Sequence, residues 1–426
     1  MPSDCSPSGF TSLRASLDAE FHARPPRPLT RATRIRHYAF LHRETSAGEE
    51  LEPLDRLVSE SGWVLRECSD AYRLLERAGH TLRWELHTEF SSYTVFSPFE
   101  SADDTEIEKL IMAWCWARPG ECLVAMRIDH SMDATMTPES AAAAHSRAGE
   151  QIVVSSIVDG RACLITDFRA TSDETHFLLL DRGMTPRQAG RTVQRIWEIE
   201  TYRLLALLGL PTAKAMAPWL RRSEDHLATL MDGIGSARST GAEESVLDQL
   251  SVLAAEVEHS LARTAFRFGA CRAYLAIVLQ RIAELREQRV TGFPPLREFM
   301  DRRLMPPMAM CDAMASRQED LSERIARNSQ LLRTRVEISL ERQNQELLVQ
   351  MNRRARVQLH LQETVEGLSV VAITYYGSQL VHYMAEGLHA VGLAVSADLV
   401  TALSIPGIAV LVWWGLRRTR VVLLKE

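Results

Sequence analysis

Two short stretches carry residue types that could do chemistry together. His87 and Glu89, two apart in a stretch that reads as a strand, share one face of it. Glu198, Glu200, Tyr202 and Arg203 crowd one helical stretch, where Glu198 and Tyr202 fall on the same side and Glu200 does not. If that strand packs against that helix, His87, Glu89 and Glu198 would converge as metal ligands or as a general acid and base. The plainer reading of the same residues is a buried network of ion pairs and hydrogen bonds. It would draw in His22, Arg24, His87, Glu89, Glu200, Tyr202 and Arg203 and join sheet to helix. The spacing does not separate the two, and neither a cofactor nor a metal centre is assigned. Asp129, His130 and Asp133 form a second small polar cluster, read as a loop following a strand.

Other chemistries lack their motifs. There is no serine elbow, phosphate-binding glycine loop, dinucleotide fingerprint or His-Glu-x-x-His. The seven cysteines are scattered and none has Cys-x-x-Cys spacing, so free thiols are expected rather than a zinc knuckle. A formal net charge of -6 supplies no basic field for nucleic acid. With 46% hydrophobic and 24% charged residues, the 426-residue chain is composed like a folded protein of two or three domains. The first residues, MPSDCSPSGF, have no basic region followed by an apolar run, so no secretory signal is expected.

The elements that must position these groups follow from periodicity. Residues 1–14 are expected to be mobile, and 15–210 to form an α+β domain with a mixed, largely antiparallel sheet. Leu82, Trp84 and Leu86 alternate with Arg83, Glu85 and His87, which predicts one continuous strand region over 82–96 with one buried face. Strands are also expected at 35–41, 122–128 and 177–180, and a hairpin around Asp159-Gly160. Helices are expected at 51–59, at 105–116, and from Thr185-Pro186 to Gly209, where glycine would end the last of them. Residues 211–362 read as a helical, coiled-coil stalk, with one long helix over 245–289. A second helix from about 305 has its seam at Leu321, Ile325, Asn328 and Leu332.

The tail is the most distinctive part. Residues 363–420 read as a transmembrane helical hairpin with spans at about 365–384 and 399–416. The second has no charged residue, and Trp413, Trp414, Arg417, Arg418 and Arg420 follow as interfacial anchors. The first is diluted by Thr374, Gly377, Ser378, Gln379 and His382, which suit either close helix packing or a polar pore lining. A single span would strand one of the two basic clusters outside, so two are expected, with the amino-terminal domain and the carboxy terminus both cytoplasmic.

Phe21-His22-Ala23-Arg24-Pro25-Pro26, His87-Thr88-Glu89-Phe90 and Glu198-Ile199-Glu200-Thr201-Tyr202-Arg203 resemble the motifs of a bacterial family of membrane-anchored proteins of unknown function. The resemblance spans nearly the whole chain and implies an anchor in the bacterial inner membrane, with no activity attached. The architecture also resembles CorA-type divalent-metal channels. Their Gly-Met-Asn signature is missing: Gly377-Ser378-Gln379 is the nearest match and sits mid-segment, so metal selectivity does not carry over. The expectation is therefore a protein held in the lipid bilayer. It would form a homo-oligomer through its stalk and act as scaffold or sensor for an unidentified cytosolic partner, without binding nucleic acid. A channel and a membrane-anchored enzyme are the alternatives.

Overall fold

The computed structural model of the chain describes residues 14, 17–18, 21, 25–42, 47–60, 62–69, 71–99, 120–133, 135–145, 151–171, 174–236, 240–390 and 396–423. Among these, in chain order, lie β1 (Thr33–Leu41), α1 (Ala47–Glu60), β2 (Val64–Ser69), β3 (Tyr72–Arg77), β4 (His80–Leu86), β5 (Phe90–Pro98), β6 (Glu121–Ser131), α2 (Pro138–His145), β7 (Val153–Ile157), β8 (Ala162–Thr171) and β9 (Glu174–Asp181). Then follow α3 (Pro186–Leu207), α4 (Gly209–Ser236), α5 (Thr240–Glu284), β10 (Gln288–Arg289), α6 (Leu296–Arg303), α7 (Met305–Ala390) and α8 (Ala397–Leu423). The helix expected at 105–116 lies outside the described residues.

The strands form one mixed sheet in the order β10-β7-β8-β9-β6-β1-β5-β4-β3-β2. Every described pairing is antiparallel except β6 with β9. The stretch expected as one strand over 82–96 is a hairpin, because the chain reverses at His87-Thr88-Glu89 and pairs β4 with β5. His87 and Glu89 therefore sit in the connection and not on a shared strand face. Both faces of β4 are covered, against the expectation of one: Leu82 and Trp84 pack with Leu54 of α1 and Trp63, while Arg83 and Glu85 are buried under α3. Asp129 and His130 are buried within β6, not in a loop after it.

Thr185 caps α3 through a reciprocal capping box with Gln188, and Pro186 opens the helix where its missing N–H costs nothing. Two glycines make close approaches possible. A Cβ on Gly190 would stand 1.9 Å from the Arg27 carbonyl oxygen, so only glycine lets the segment before β1 cross α3. At Gly209, expected as a helix stop, the backbone continues after a one-residue break into α4. There a Cβ would fall 2.6 Å from the Cys271 sulfur, so the glycine serves helix packing. The expected helix over 245–289 ends at Glu284, and Gln288–Arg289 instead adds the edge strand β10 to β7.

By internal packing the chain divides into two units, residues 1–235 with 248–327, and residues 236–247 with 328–426. Boundaries at 210 and 362 do not coincide with these. In the first unit, α4, α5 and the start of α7 pack together. Arg317 donates twice to Glu224 at 3.1 and 2.6 Å. The fully buried Gln318 donates to Ser260 Oγ at 2.7 Å and accepts from Thr264 Oγ1 at 3.1 Å. Leu321 and Ile325, expected as an intermolecular seam, are buried within this unit.

In the second unit, α7 runs without a break through the residues expected as stalk and first apolar segment. Its end lies antiparallel to α8. His382 Nδ1 is 3.0 Å from Thr401 Oγ1, and a Cβ on Gly377 would come 3.2 Å from Ile408 Cγ2. Ser378 and Ala385 are buried on the same stripe. The residues 397–415 make up the one helix, among those described, long and apolar enough to cross a membrane, with a mean hydropathy of 1.6.

Candidate functional site

In-register pairing places His37 of β1 and Arg83 of β4 on either side of Thr94 in β5, all three buried. Trp197 of α3 lies across that row. Its ring stacks on His37 at 5.7 Å and 10°, meets Phe96 edge-on at 6.0 Å, and lies 5.6 Å from the Arg83 guanidinium. Arg83 donates to Glu85 at 2.7 Å, a pair whose desolvation is offset only because both partners are present.

Both His37 nitrogens are engaged: Nδ1 is 2.8 Å from Thr94 Oγ1 and Nε2 is 3.0 Å from Thr201 Oγ1. Hydroxyls can accept from one nitrogen and donate to the other, so a neutral ring satisfies the whole chain of bonds. Burial, with the nearby positive charge of Arg83, pushes the imidazole down to about 3. At neutral pH His37 is therefore an uncharged structural pivot, one ring nitrogen donating and the other accepting.

A cavity of about 210 Å³ opens beside this row, walled by Glu85, His87, Trp197, Glu198, Tyr202 and Arg281 among others. Glu198 is held from two sides: Gln194 Nε2 donates to it at 2.8 Å, and Arg281 Nε of α5 donates to its other oxygen. Arg281 also donates to Glu284, which accepts from Arg195 at 2.8 Å, so alternating charges link α3 to α5. His87 stacks on Phe90 at 4.3 Å and 14°.

Of the three residues offered as converging ligands, His87 and Glu198 face this cavity and Glu89 does not line it. Glu89 accepts from Arg267 at 2.7 Å and from the Tyr274 hydroxyl at 2.5 Å, both on α5. Burial and the Glu89 carboxylate push the Tyr274 phenol well above its ordinary range, so it stays a donor. Tyr202 stacks on Tyr274 at 5.6 Å, while the fully buried Glu200 forms a bidentate pair with Arg203 at 2.7 and 2.8 Å on the other side of α3. His22 and Arg24 lie outside the described residues. Each described carboxylate of the cluster thus has a cationic or hydrogen-bonding partner in place. Among the described residues no group of three or more His, Cys, Asp or Glu side chains is arranged to hold a metal ion. Chemically the arrangement can bind a small polar molecule or brace α3 against sheet and α5.

Sequence reasoning passed over His37 and Arg83. Their signal was positional: His37 occupies an inward place between Ile35 and Ala39 on β1, where a polar residue must be satisfied internally. It also passed over Asp129 as a hub. That carboxylate accepts from Arg34 at 3.2 Å, from Arg127 at 3.0 Å and from His176 at 2.8 Å. Burial pushes it up, but the bonds from His176 and Arg127 outweigh this and hold it well below the usual carboxylate range.

Of the tail residues, Gly377, Ser378 and His382 lie on the stripe against α8, and Thr374 Oγ1 is buried without a partner among the described residues. Gln379 is half-buried, and Trp413, Trp414 and Arg418 are exposed, with the Arg418 guanidinium 5.2 Å from the Trp414 ring. The side chains of Arg417 and Arg420 lie outside the described residues.

Comparison with solved structures pairs the chain with the full-length CmaX protein at 13% identity, over 72% of this chain and 91% of that one. The TM-score is 0.18, too low an overlap to carry an argument. No curated protein matches. Residues 11–423 match the model of a family described as protein of unknown function, and the chain belongs to that family, DUF3422.

Proposed function

We propose that the protein is a membrane-tethered scaffold or sensor: α8 and the end of α7 enter the bilayer together, and the sheet-bearing unit stands in the cytoplasm. The observation that carries this is the character of α8. Its 397–415 stretch is apolar at a mean hydropathy of 1.6, and none of it is buried within the protein. Leu403, Val410 and Leu411 face outward, as do Leu368, Val371 and Leu380 on the end of α7. So much contiguous apolar surface is unfavourable in water and favourable against lipid tails.

The two-span form is supported by the pairing of His382 with Thr401, which satisfies polar groups that lipid would leave costly. It is supported too by the closeness of Gly377 to Ile408, which favours close helix packing. Both ends of the pair then lie on one side, and Arg353, Arg354 and Arg356 join Arg417, Arg418 and Arg420 at the cytoplasmic face of a bacterial inner membrane. Above the bilayer, Leu340, Leu347 and Met351 of α7 are exposed and spaced seven and four apart as a helical seam, which favours a homo-oligomer.

Alkaline extraction of membranes from expressing cells tests the reading. The full chain is expected in the pellet and a chain ending at Gln362 in the supernatant. Release of the full chain into the supernatant would overturn it.

A further inference from the structure

At one rim of the sheet, the segment entering β1 meets the end of β5 and the turn between β3 and β4. Together they enclose a cavity of about 240 Å³. Among the described residues its polar lining is Arg27, Arg31, Thr30, Thr33 and Ser97, with no carboxylate. Drug-sized ligand pockets start at about 300 Å³, so this one suits a smaller group.

The two arginines are differently held. Arg27 stands 5.8 Å from the Phe96 ring and 3.3 Å from Glu76, whose other oxygen accepts from Arg66 at 2.9 Å. One carboxylate is thus divided between two cations. Arg31 makes no ion pair among the described residues and is exposed. Its position depends on Gly79, at φ +84, where a Cβ would come 3.1 Å from Arg31 Nη2. The turn is therefore shaped to leave room for that guanidinium. Beneath them, Thr33 Oγ1 is occupied in donating to the Arg31 carbonyl at 2.9 Å. Ser97 Oγ, buried, is 3.0 Å from Nδ1 of the buried His80. When the imidazole N–H donates to that oxygen, the serine O–H is left to donate into the cavity.

We infer that this rim cavity binds a phosphate group, with Arg31 and Arg27 as the paired cations and Thr30 and Ser97 as hydroxyl donors. Two guanidinium forks with flanking hydroxyls offer more donors than a carboxylate has oxygens to accept them, and forked donors match phosphate oxygens in pairs. Burial, with the charge of Arg31 beside it, lowers the affinity of Arg27 for its proton against the opposing pull of Glu76. The inference concerns the sheet-bearing unit alone and is independent of how the tail is anchored.

Calorimetric titration of the detergent-solubilised full chain with inorganic phosphate, and separately with glycerol 3-phosphate, tests it. Saturable binding of either is expected, weakened at least about tenfold in Arg31→Gln, a change equal to about 1.4 kcal/mol. Arg302→Gln, on α6 and paired with Glu298 outside the cavity, is expected to leave the affinity unchanged, and acetate at the same concentration not to compete. Tighter binding of glycerol 3-phosphate would support a phosphomonoester or headgroup as the source; tighter binding of inorganic phosphate would support the free ion. Absence of saturable binding of both, equal binding by Arg31→Gln with an unchanged melting curve, or equal competition by acetate would each overturn the inference.

Discussion

Lowering the pH from 8 to 5 is expected to destabilise the sheet-bearing unit through His37, and His37→Gln to remove that part of the effect. The ring is pushed from its ordinary 6.5 down to about 3 by burial, and by the Arg83 charge that shares its row. The unfolded chain therefore binds a proton between pH 6.5 and 3 that the folded one refuses. Stability from this group is full above 6.5 and is lost as the pH falls through that window. At pH 5 the loss amounts to roughly 2 kcal/mol, rising toward roughly 5 kcal/mol near pH 3, at 1.36 kcal/mol per pH unit. Glutamine cannot take up the proton, yet its amide can still bond to Thr94 or Thr201. The variant is thus expected to be less stable at every pH while losing less on acidification, and the difference in slope is what His37 contributes. Urea unfolding of the full chain in detergent gives both curves, read by tryptophan emission because Trp197 stacks on His37. Parallel stability curves for the two proteins from pH 8 to 5 would refute the reasoning.

Further expectations follow from contacts already described. Gly190→Ala drives a methyl against the Arg27 carbonyl and should cost about 3 kcal/mol, seen as a lower melting temperature. Asp129→Asn strips the charge that Arg34, Arg127 and His176 share; the wild-type advantage over this variant should hold at neutral pH and shrink as acid protonates Asp129, measured by unfolding at pH 7 and below pH 3. Gly377→Leu collides with Ile408 and should separate the α7–α8 pair, read as lost disulfide cross-linking between cysteines placed at His382 and Thr401.

Much of the framework was legible because local chemistry and tertiary structure agree. Asp159-Gly160 forms the turn between β7 and β8, with both residues at positive φ where Asp and Gly are tolerated. Thr185-Pro186 starts α3, and the charge-free stretch from Leu399 is helical. The expected membership of a family of unknown function agrees with the family match over nearly the whole chain.

What stayed hidden has identifiable causes. β2 and β3 carry Arg66, Glu67, Arg73, Glu76 and Arg77, charges at home on a sheet edge but masking any alternation. Reading Arg83 and Glu85 as a solvent face failed because α3 covers that side too, and the two pair with each other. The reversal at Thr88-Glu89 has neither glycine nor proline to announce it. The His37 row draws on residues 57 and 164 positions apart, so no local motif could report it. Even inside the quoted stretch, Glu198 and Glu200 face different partners, as helical spacing implied, while the destination of Glu89 on α5 depended on a helix far along the chain.

The central claim is that two helices cross the bilayer as a pair, and topology reporters test it most directly. Alkaline phosphatase, active only outside the cytoplasm, would be fused after Gly387 and, separately, after Glu426. The account requires activity for the first fusion and none for the second; inactivity of both, or activity of the second, would contradict it.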